Sequence, residues 1–534
     1  MNRLYYGDCL TILREHMNAG SVDLIYLDPP FNSNREYNAI YRDETGRPLP
    51  DQIEAFCDQW ELDEETEQII RMMPILMREA GIDDAVAEFW RFWVNALRGT
   101  QPRLLAYLSY MVERLLQMRV VLRPTGSLYL HCDPTASHYI KAMMDAIFGH
   151  KNFRSEVVWK RTSGHSDSKT FGAVHDTILL YTKGDVFQFN PQRMPYTADY
   201  IEQRYRYSDP DGRRWMDGDL SAKGLSGGGY EYEYDGVSSL WRVPEERMRK
   251  LDEEDRLHRT TRGGIRIKRY LDEMKGLPVT DTWTDISPIN SQARERLGYA
   301  TQKPLALLDR IIQASSNEGD TVLDPFCGCA TTMEAAHKLN RRWIGIDIAI
   351  HAIKRVARVR LQDRLRLVEG TDFEILGVPR NFEGACDLWT RDKYHFQKWA
   401  VEQIEGFVTT KRTADGGIDG RVYFALPMEK HLHSMAIEVK GGVHVGIQDL
   451  RALYGAVEND SAKMAGLIVL HPLSPTKARN FSRFCGEAGS LTVLGRQYAK
   501  LQVLTVNEIL EGKRFDTPTV SGQGTGQQAL GLTP

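Results

Sequence analysis

GDTVLDPFCGCATTMEAAHKLNRRWIGIDI, residues 319–348, reads as an apolar strand, a tight turn around Gly328, a helix beginning near Thr331 and a second strand. Two strands joined by one short helix make a βαβ unit, which implies a parallel sheet. Ligands of such sheets sit outside the carboxyl ends of the strands. Gly328 there allows close backbone approach, the helix start offers free amide groups, and Asp347 closes the second strand where it can accept hydrogen bonds from ribose hydroxyls. SVDLIYLD (21–28), GSLYLHCD (126–133) and HDTILLYTK (175–183) read as further buried strands. Helical spacing runs through about 62–123, as in MVERLLQMRVVL, and again through QKPLALLDRIIQASS (302–316).

At 534 residues the chain exceeds what one core organises, so two or more domains are expected. Its 42% apolar and 26% charged residues, with a net charge of −4, fit a soluble protein without a bilayer-spanning run. The start MNRLYYGDCL lacks a secretory pattern, so a reducing, cytoplasmic setting is expected, with no membrane partner. The seven cysteines are scattered, and Cys327 and Cys329 lie too close for the usual zinc pair, so neither a disulfide nor a structural metal is expected. RTTRGGIRIKR (259–269) carries five positive charges and no acid, a pattern met more often on solvated faces than on nucleic-acid arms.

Residues 184–290 change character, being rich in Tyr, Trp, Gly and charge, and read as an inserted module of short strands and loops. Tyr205, Tyr207, Trp215, Tyr230, Tyr232 and Trp241 are expected mostly as its small core. A separate unit begins near 390, with a boundary at about 380–392, and the Gly-, Gln- and Thr-rich residues 515–534 read as a disordered tail.

YLDPPFNSN (26–34) places a carboxylate and a rigid diproline at the mouth of a buried strand. The Asp28 carboxylate and a proline carbonyl can both accept hydrogen bonds from one NH2 group, favouring the pyramidal form of an otherwise delocalised aromatic amine. Phe31 could stack on the base carrying it. The plainer alternative is a strand ending in a diproline turn.

LYYGDCL, SVDLIYLDPPF, GSLYLHCD, ERLGYATQKPLALLDRIIQASS, DTVLDPFCGCATT and RRWIGIDI, in this order, resemble the beta-class DNA amino-methyltransferases, which use S-adenosylmethionine. The resemblance implies a Rossmann-like α/β methyltransferase domain over 1–385, with a helical insert at about 45–115 and a target-recognition region at about 155–295. It implies that Asp28, Pro29, Pro30 and Phe31 hold the target amine, with adenine N6 favoured by DPPF. It further implies that Asp324, Phe326 and Gly328 form the cofactor turn, that Asp347 binds the ribose, that Asp8 lies near the cofactor adenine, and that Lys303 and Pro304 belong to the neighbouring cofactor-side block. The family turn usually ends in glycine where Ala330 stands.

GGIDG (416–420) and AIEVKGG (436–442) bring Asp419, Glu438 and Lys440 together if their segments pair, since residues 438 and 440 share one face of a strand. Two acids and a lysine suit Mg2+-assisted phosphodiester hydrolysis, with Asp419 and Glu438 as metal ligands. With HFQKWAVEQIEGF upstream and a helix bearing Gln448 downstream, the segment resembles the Mrr-type branch of the restriction-endonuclease-like fold, a smaller α/β domain over 390–514. Gln397 stands near where relatives often carry a helix glutamate.

The combined expectation is a DNA adenine-N6 methyltransferase fused to a Mg2+-dependent endonuclease, acting on double-stranded DNA in restriction-modification. Alternatives are a DNA methyltransferase acting on adenine N6 or cytosine N4 whose last domain only binds DNA or a partner, and a non-catalytic recognition subunit. A homodimer is left open, and lacking a G-x-x-x-x-G-K-[ST] loop, any ATP-driven helicase or translocase would be a separate chain.

Overall fold

The computed structural model describes residues 1–30, 38–39, 53–54, 60–163, 170–224, 227–290, 293–297, 302–349, 352–409, 417–427, 429, 432–458 and 462–518. Phe31, most of the first fifteen residues of the expected helical insert and residues 519–534 of the expected tail lie outside the described residues. Two compact units emerge, one built from Met1–Asn190 and Asp281–Pro534 and the other from Pro191–Thr280.

The first unit is organised on a nine-stranded sheet. Its strands are β1 (Asn2–Tyr6), β2 (Val22–Leu27), β3 (Leu122–Cys132), β4 (Phe153–Lys160), β5 (His175–Thr182), β6 (Thr282–Trp283), β7 (Thr321–Asp324), β8 (Arg342–Asp347) and β9 (Phe373–Leu376), in the order β6-β4-β5-β3-β2-β7-β8-β1-β9. From β3 to β9 all neighbours are parallel, while β5 is antiparallel to both β3 and β4. The central strands are buried on both faces, which explains their continuous apolar runs.

Helices α1 (Cys9–Glu15), α2 (Glu64–Glu79), α3 (Asp84–Arg98) and α4 (Pro102–Val121) cover one part of this sheet. Pro102 opens α4, where its missing N–H costs nothing, and the helix is buried nearly all round. Its core continues into Ile70, Met73 and Met77 of α2 and Trp90, Val94 and Leu97 of α3. The described helices of the insert therefore pack on the core of the main sheet itself.

Helices α5 (Leu305–Ser315) and α6 (Thr331–Lys338) pack on each other, and α6 leads directly out of the turn at 325–330. Gly345 of β8 lets α6 approach, since a Cβ there would stand 2.8 Å from Met333 Sδ, 2.9 Å from Leu4 Cδ1 and 3.1 Å from Cys327 Sγ.

The region expected at about 155–295 to read DNA contains both strands of the main sheet and a second unit. Strands β4, β5 and β6 belong to the main sheet because they complete its edge, which leaves 191–280 as the second unit. That unit holds a four-stranded antiparallel sheet of Tyr207–Ser208, Arg214–Asp219, Leu257–Arg259 and Ile265–Tyr270, and a hairpin of Tyr230–Tyr234 with Val237–Trp241. The hairpin turns on Asp235-Gly236, both at positive φ (52° and 76°), as a two-residue loop requires. Tyr205, Trp215 and Trp241 are buried, whereas Tyr230 is exposed.

The C-terminal segment forms a five-stranded mixed sheet in the order β10 (Phe407–Val408), β11 (Gly420–Ala425), β12 (Leu432–Lys440), β13 (Met464–Val469) and β14 (Leu501–Thr505). The boundary expected at 380–392 is occupied by structure. Helices α7 (Phe382–Arg391) and α8 (Lys393–Gln403) are joined through Asp392, which ends one and caps the other by accepting from His395 N at 2.9 Å. His395 meets the ring of Tyr6 edge-on, so this sheet shares a unit with the first. Nor does the expected disorder start at 515: Phe515 is buried, and Asp516 N–H donates to Gln502 Oε1 at 2.8 Å.

Replacing Gly345 with valine forces α6 away from β8. Urea unfolding is expected to show a loss of about 2 kcal/mol or more, the cost of overpacking a filled interior.

Candidate functional site

Four acidic positions converge because the parallel strands end together. Leu323 of β7 pairs with Ile25 of β2, Asp324 with Gly345 of β8, and Tyr6 of β1 with Asp347 of β8. Asp28, Asp324, Asp347 and Asp8 thus follow or close four neighbouring strands at their carboxyl ends, where α/β folds bind ligands.

The turn after β7 is tied down from both sides. Asp324 accepts from Phe326 N at 3.0 Å and from Thr332 Oγ1 at 2.5 Å. Gly328 N–H donates to Asp347 Oδ2 at 2.7 Å, Ala349 N–H donates to Oδ1 at 2.8 Å, and Cys327 N–H donates to Ile346 O at 2.9 Å. Gly328 has φ 46°, and Ala330, where the resemblance leads one to expect glycine, has φ 60°. That left-handed conformation costs alanine on the order of 1 kcal/mol, and Ala330 sustains it while fully buried. Burial raises Asp324 to about 7 against the hydrogen bonds from Thr332 and Phe326, with Asp28 and Asp347 adding to the rise. Burial likewise raises Asp347 to about 6, opposed by the backbone donors Ala349, Gly328 and Ile348.

Behind this turn lies an ion pair that the sequence reading missed. Buried Arg360 pairs with Glu334 of α6 and reaches Cys329 Sγ at 3.8 Å. No sequence signal marks two residues 26 positions apart as partners.

Lys303, expected on the cofactor side, forms an ion pair with Asp28 Oδ2, both side chains being largely buried. Oδ1 of Asp28 is buried with no hydrogen-bond partner among the described residues. Pro29 is buried, and Pro304 caps the start of α5. Asp8 is engaged on both oxygens: Oδ1 caps α1 by accepting from Leu10 N at 2.9 Å, and Oδ2 accepts from buried Arg114 at 2.5 Å. Arg114 in turn lies over Tyr110, 3.4 Å from the ring centroid. The part expected of Asp8 beside an adenine would have to use its remaining lone pairs.

The second constellation also assembles. Gly420 pairs with Ile437 across β11 and β12, so Asp419 sits beside β12, its N–H donating to Ile437 O at 2.8 Å and its Oδ2 accepting from Val439 N at 2.7 Å. Lys440 Nζ lies 2.7 Å from Glu438 Oε1 and 4.0 Å from Asp449 Oδ1. Burial raises Glu438 above the usual carboxylate range despite Lys440, and its Oε2 is buried without a hydrogen-bond partner among the described residues. Asp449 stands in the first turn of helix α9 (Ile447–Glu458), next to the expected Gln448, and was not anticipated. No group of three or more His, Cys, Asp or Glu side chains among the described residues is arranged to hold a metal ion.

A family model described as DNA methylase matches residues 22–358, more than half of the chain. The chain belongs to that family. Among curated relatives, the type II methyltransferase M.EcaI of Enterobacter cloacae is 32% identical over 258 residues, 47% of this chain and 57% of M.EcaI. The Mod subunit of the type III restriction-modification enzyme StyLTI of Salmonella typhimurium is 31% identical over 359 residues, 64% of this chain and 50% of that subunit. The DNA adenine methyltransferase YhdJ of Escherichia coli K12 is 24% identical over 358 residues, 66% of this chain and 80% of YhdJ. The chain spans about half the length of the first two.

Asp324 gives this region a pH signature. Its carboxyl titrates near 7 when folded but near 3.9 when unfolded, so the native state binds the extra proton between those values. Stability therefore falls as pH rises from about 4 to about 7 and is flat beyond. In urea unfolding the wild type is expected to lose more stability from about pH 5 to about pH 8 than Asp324→Asn, by on the order of 2 kcal/mol.

Proposed function

We propose that this chain methylates the exocyclic amine of a base in double-stranded DNA, with adenine N6 as the target, and acts in restriction-modification. The observation that carries the reading is the open, buried Oδ1 of Asp28 beside the carboxyl ends that hold the Asp324 and Asp347 turn. A base amine needs acceptors, and Asp28 Oδ1 with the Pro29 carbonyl supplies two on a rigid strand end. Lys303 fixes the other oxygen and leaves Oδ1 free to turn toward the amine. The likeness to M.EcaI, the StyLTI Mod subunit and YhdJ supports a methyltransferase of restriction-modification, and that to the adenine methyltransferase YhdJ supports adenine.

S-adenosylmethionine supplies an electrophilic methyl on a sulfonium sulfur. The residues fit it: each Asp347 oxygen keeps a lone pair for a ribose hydroxyl beyond its backbone donor, and buried Asp324 gains from a nearby cation when it ionises. Phe326 and Gly328 line the same turn. The second unit would read the DNA, and of the five charges in its basic run Arg259, Arg266 and Lys268 are neutralised by Asp235, Asp252, Asp217, Asp209 and Asp255. Arg262 and Arg269 are exposed and make no ion pair among the described residues, which leaves them for phosphate contacts.

For the C-terminal sheet the reading is a Mg2+-dependent endonuclease using Asp419, Glu438 and Lys440. Glu438 Oε2, buried with no hydrogen-bond partner among the described residues, fits a cation ligand, and Lys440 would stabilise charge on the phosphate. A second reading, in which this sheet only binds DNA or a partner, draws on the lack of a three-ligand cluster among the described residues. A second copy of the chain and a separate ATP-dependent translocase remain proposed partners.

Incubation of full-length protein with mixed-sequence plasmid and S-adenosylmethionine, with and without Mg2+, tests both sites. Nucleoside mass analysis is expected to find N6-methyladenine, reduced on the order of 100-fold or more in Asp28→Ala. Nicking should require Mg2+ and vanish in Lys440→Ala with methylation intact. N4-methylcytosine would overturn the adenine assignment, and methylation without cutting would overturn the nuclease.

A further inference from the structure

Beneath Asp28 a chain of polar side chains crosses the sheet strand by strand. Tyr26 of β2 bonds through its hydroxyl to His131 Nδ1 of β3 at 2.9 Å, and His131 Nε2 meets Asp176 Oδ2 of β5 at 3.1 Å. Arg161, just after β4, lies 3.5 Å from Asp176 Oδ1. Both His131 and Asp176 are 0% exposed and Tyr26 only 2%. An all-apolar core would avoid the desolvation of these groups, so stability alone does not explain them.

The order of hydrogens along the chain follows from its end. Burial by itself would raise Asp176, but the hydrogen bond from His131, with the charges of Arg161 and Lys303, outweighs it and holds the carboxyl below its usual range. An ionised Asp176 accepts the hydrogen of Nε2, and in the tautomer that carries its one ring hydrogen there Nδ1 is an acceptor. The Tyr26 hydroxyl then donates to Nδ1.

That direction matters because Tyr26 lies in β2 and Asp28 follows directly after its last residue, Leu27. Their proximity is electrostatic as well: after burial, the charge of Asp28 is the largest contribution raising the Tyr26 phenol. A phenolic O–H released from His131 would find in Asp28 Oδ1 a buried acceptor with no partner among the described residues. Occupied in that way, Oδ1 could no longer accept from a base amine.

We propose that His131 and Asp176 are positioning residues for methyl transfer: they hold the Tyr26 hydroxyl to the imidazole and so keep Asp28 Oδ1 open for the target amine. This rests on the methyl-transfer reading above. Neither residue touches the reacting atoms, and the effect passes through Tyr26.

The full-length chain is assayed with plasmid DNA and S-adenosylmethionine as wild type, His131→Leu, Tyr26→Phe and the double variant. His131→Leu is expected to lower kcat about tenfold or more with KM for S-adenosylmethionine within about twofold, because the ground-state ligand contacts are untouched. Tyr26→Phe removes the competing donor and should cost less than about threefold, and adding it to His131→Leu should restore kcat to about that level. Calorimetric affinity for S-adenosylhomocysteine should be the same in all four. Melting temperatures of His131→Leu and the double variant should be equally low, since both leave Asp176 without its imidazole, so recovered kcat would not be recovered folding. A double variant as slow as His131→Leu, or His131→Leu as fast as wild type, overturns the proposal. Should His131→Leu fail to fold, Tyr26→Phe decides alone: a tenfold loss contradicts the account, which gives the hydroxyl no other part. A wild type that transfers no methyl would instead sink the functional reading itself.

Discussion

The Asp347 carboxylate ties two loops to one strand end, taking Gly328 N–H on one oxygen and Ala349 N–H on the other. Because Asp347 is in register with Tyr6 on one side and lies two residues beyond the partner of Asp324 on the other, this clamp aligns the exits of β1, β7 and β8. The turn at 325–330 is held against the sheet by this clamp together with Cys327 N–H on Ile346 O and the Asp324 carboxylate, and its left-handed Gly328 and Ala330 sit within it. Asp28, one strand further along, inherits its position from the same register.

Charge buried around this edge is costly unless paired, and the pairs found here reach across elements. Arg360 locks α6 through Glu334, Arg114 locks the start of α1 through Asp8, and Lys303 locks the end of β2 through Asp28. Each joins the rim of the site to an element that packs behind it. The arrangement trades some stability for fixed acceptor positions, which suits a reaction that depends on orientation rather than on covalent chemistry by the protein.

The βαβ core was legible in the sequence because periodicity is local: an apolar run, a glycine turn and a 3.6-residue repeat need only neighbours. Glu438 and Lys440 were legible for the same reason, being two apart on a strand, and their meeting with Asp419 required only that β11 pair with β12. Lys303 was placed on the cofactor side and turned out to hold Asp28, since a loop residue 275 positions away is brought there by topology alone. Arg114, Arg360, Asp449 and the acid-base chain at His131 escaped notice because their partners lie on other elements. β4 and β5 read as strands in the sequence, but an apolar run does not reveal which sheet a strand joins. The last segment was expected to stand apart, but a two-helix connection capped at Asp392 leaves no linker.

The most direct test of the central claim, that the aligned carboxyl ends of β1, β7 and β8 form the cofactor site, is amide hydrogen exchange of the wild-type chain with and without S-adenosylhomocysteine. Slowed exchange is expected together at 7–10, 324–332 and 345–349, with no change at 417–442. Protection confined to other segments, or none at a saturating ligand concentration, would contradict it.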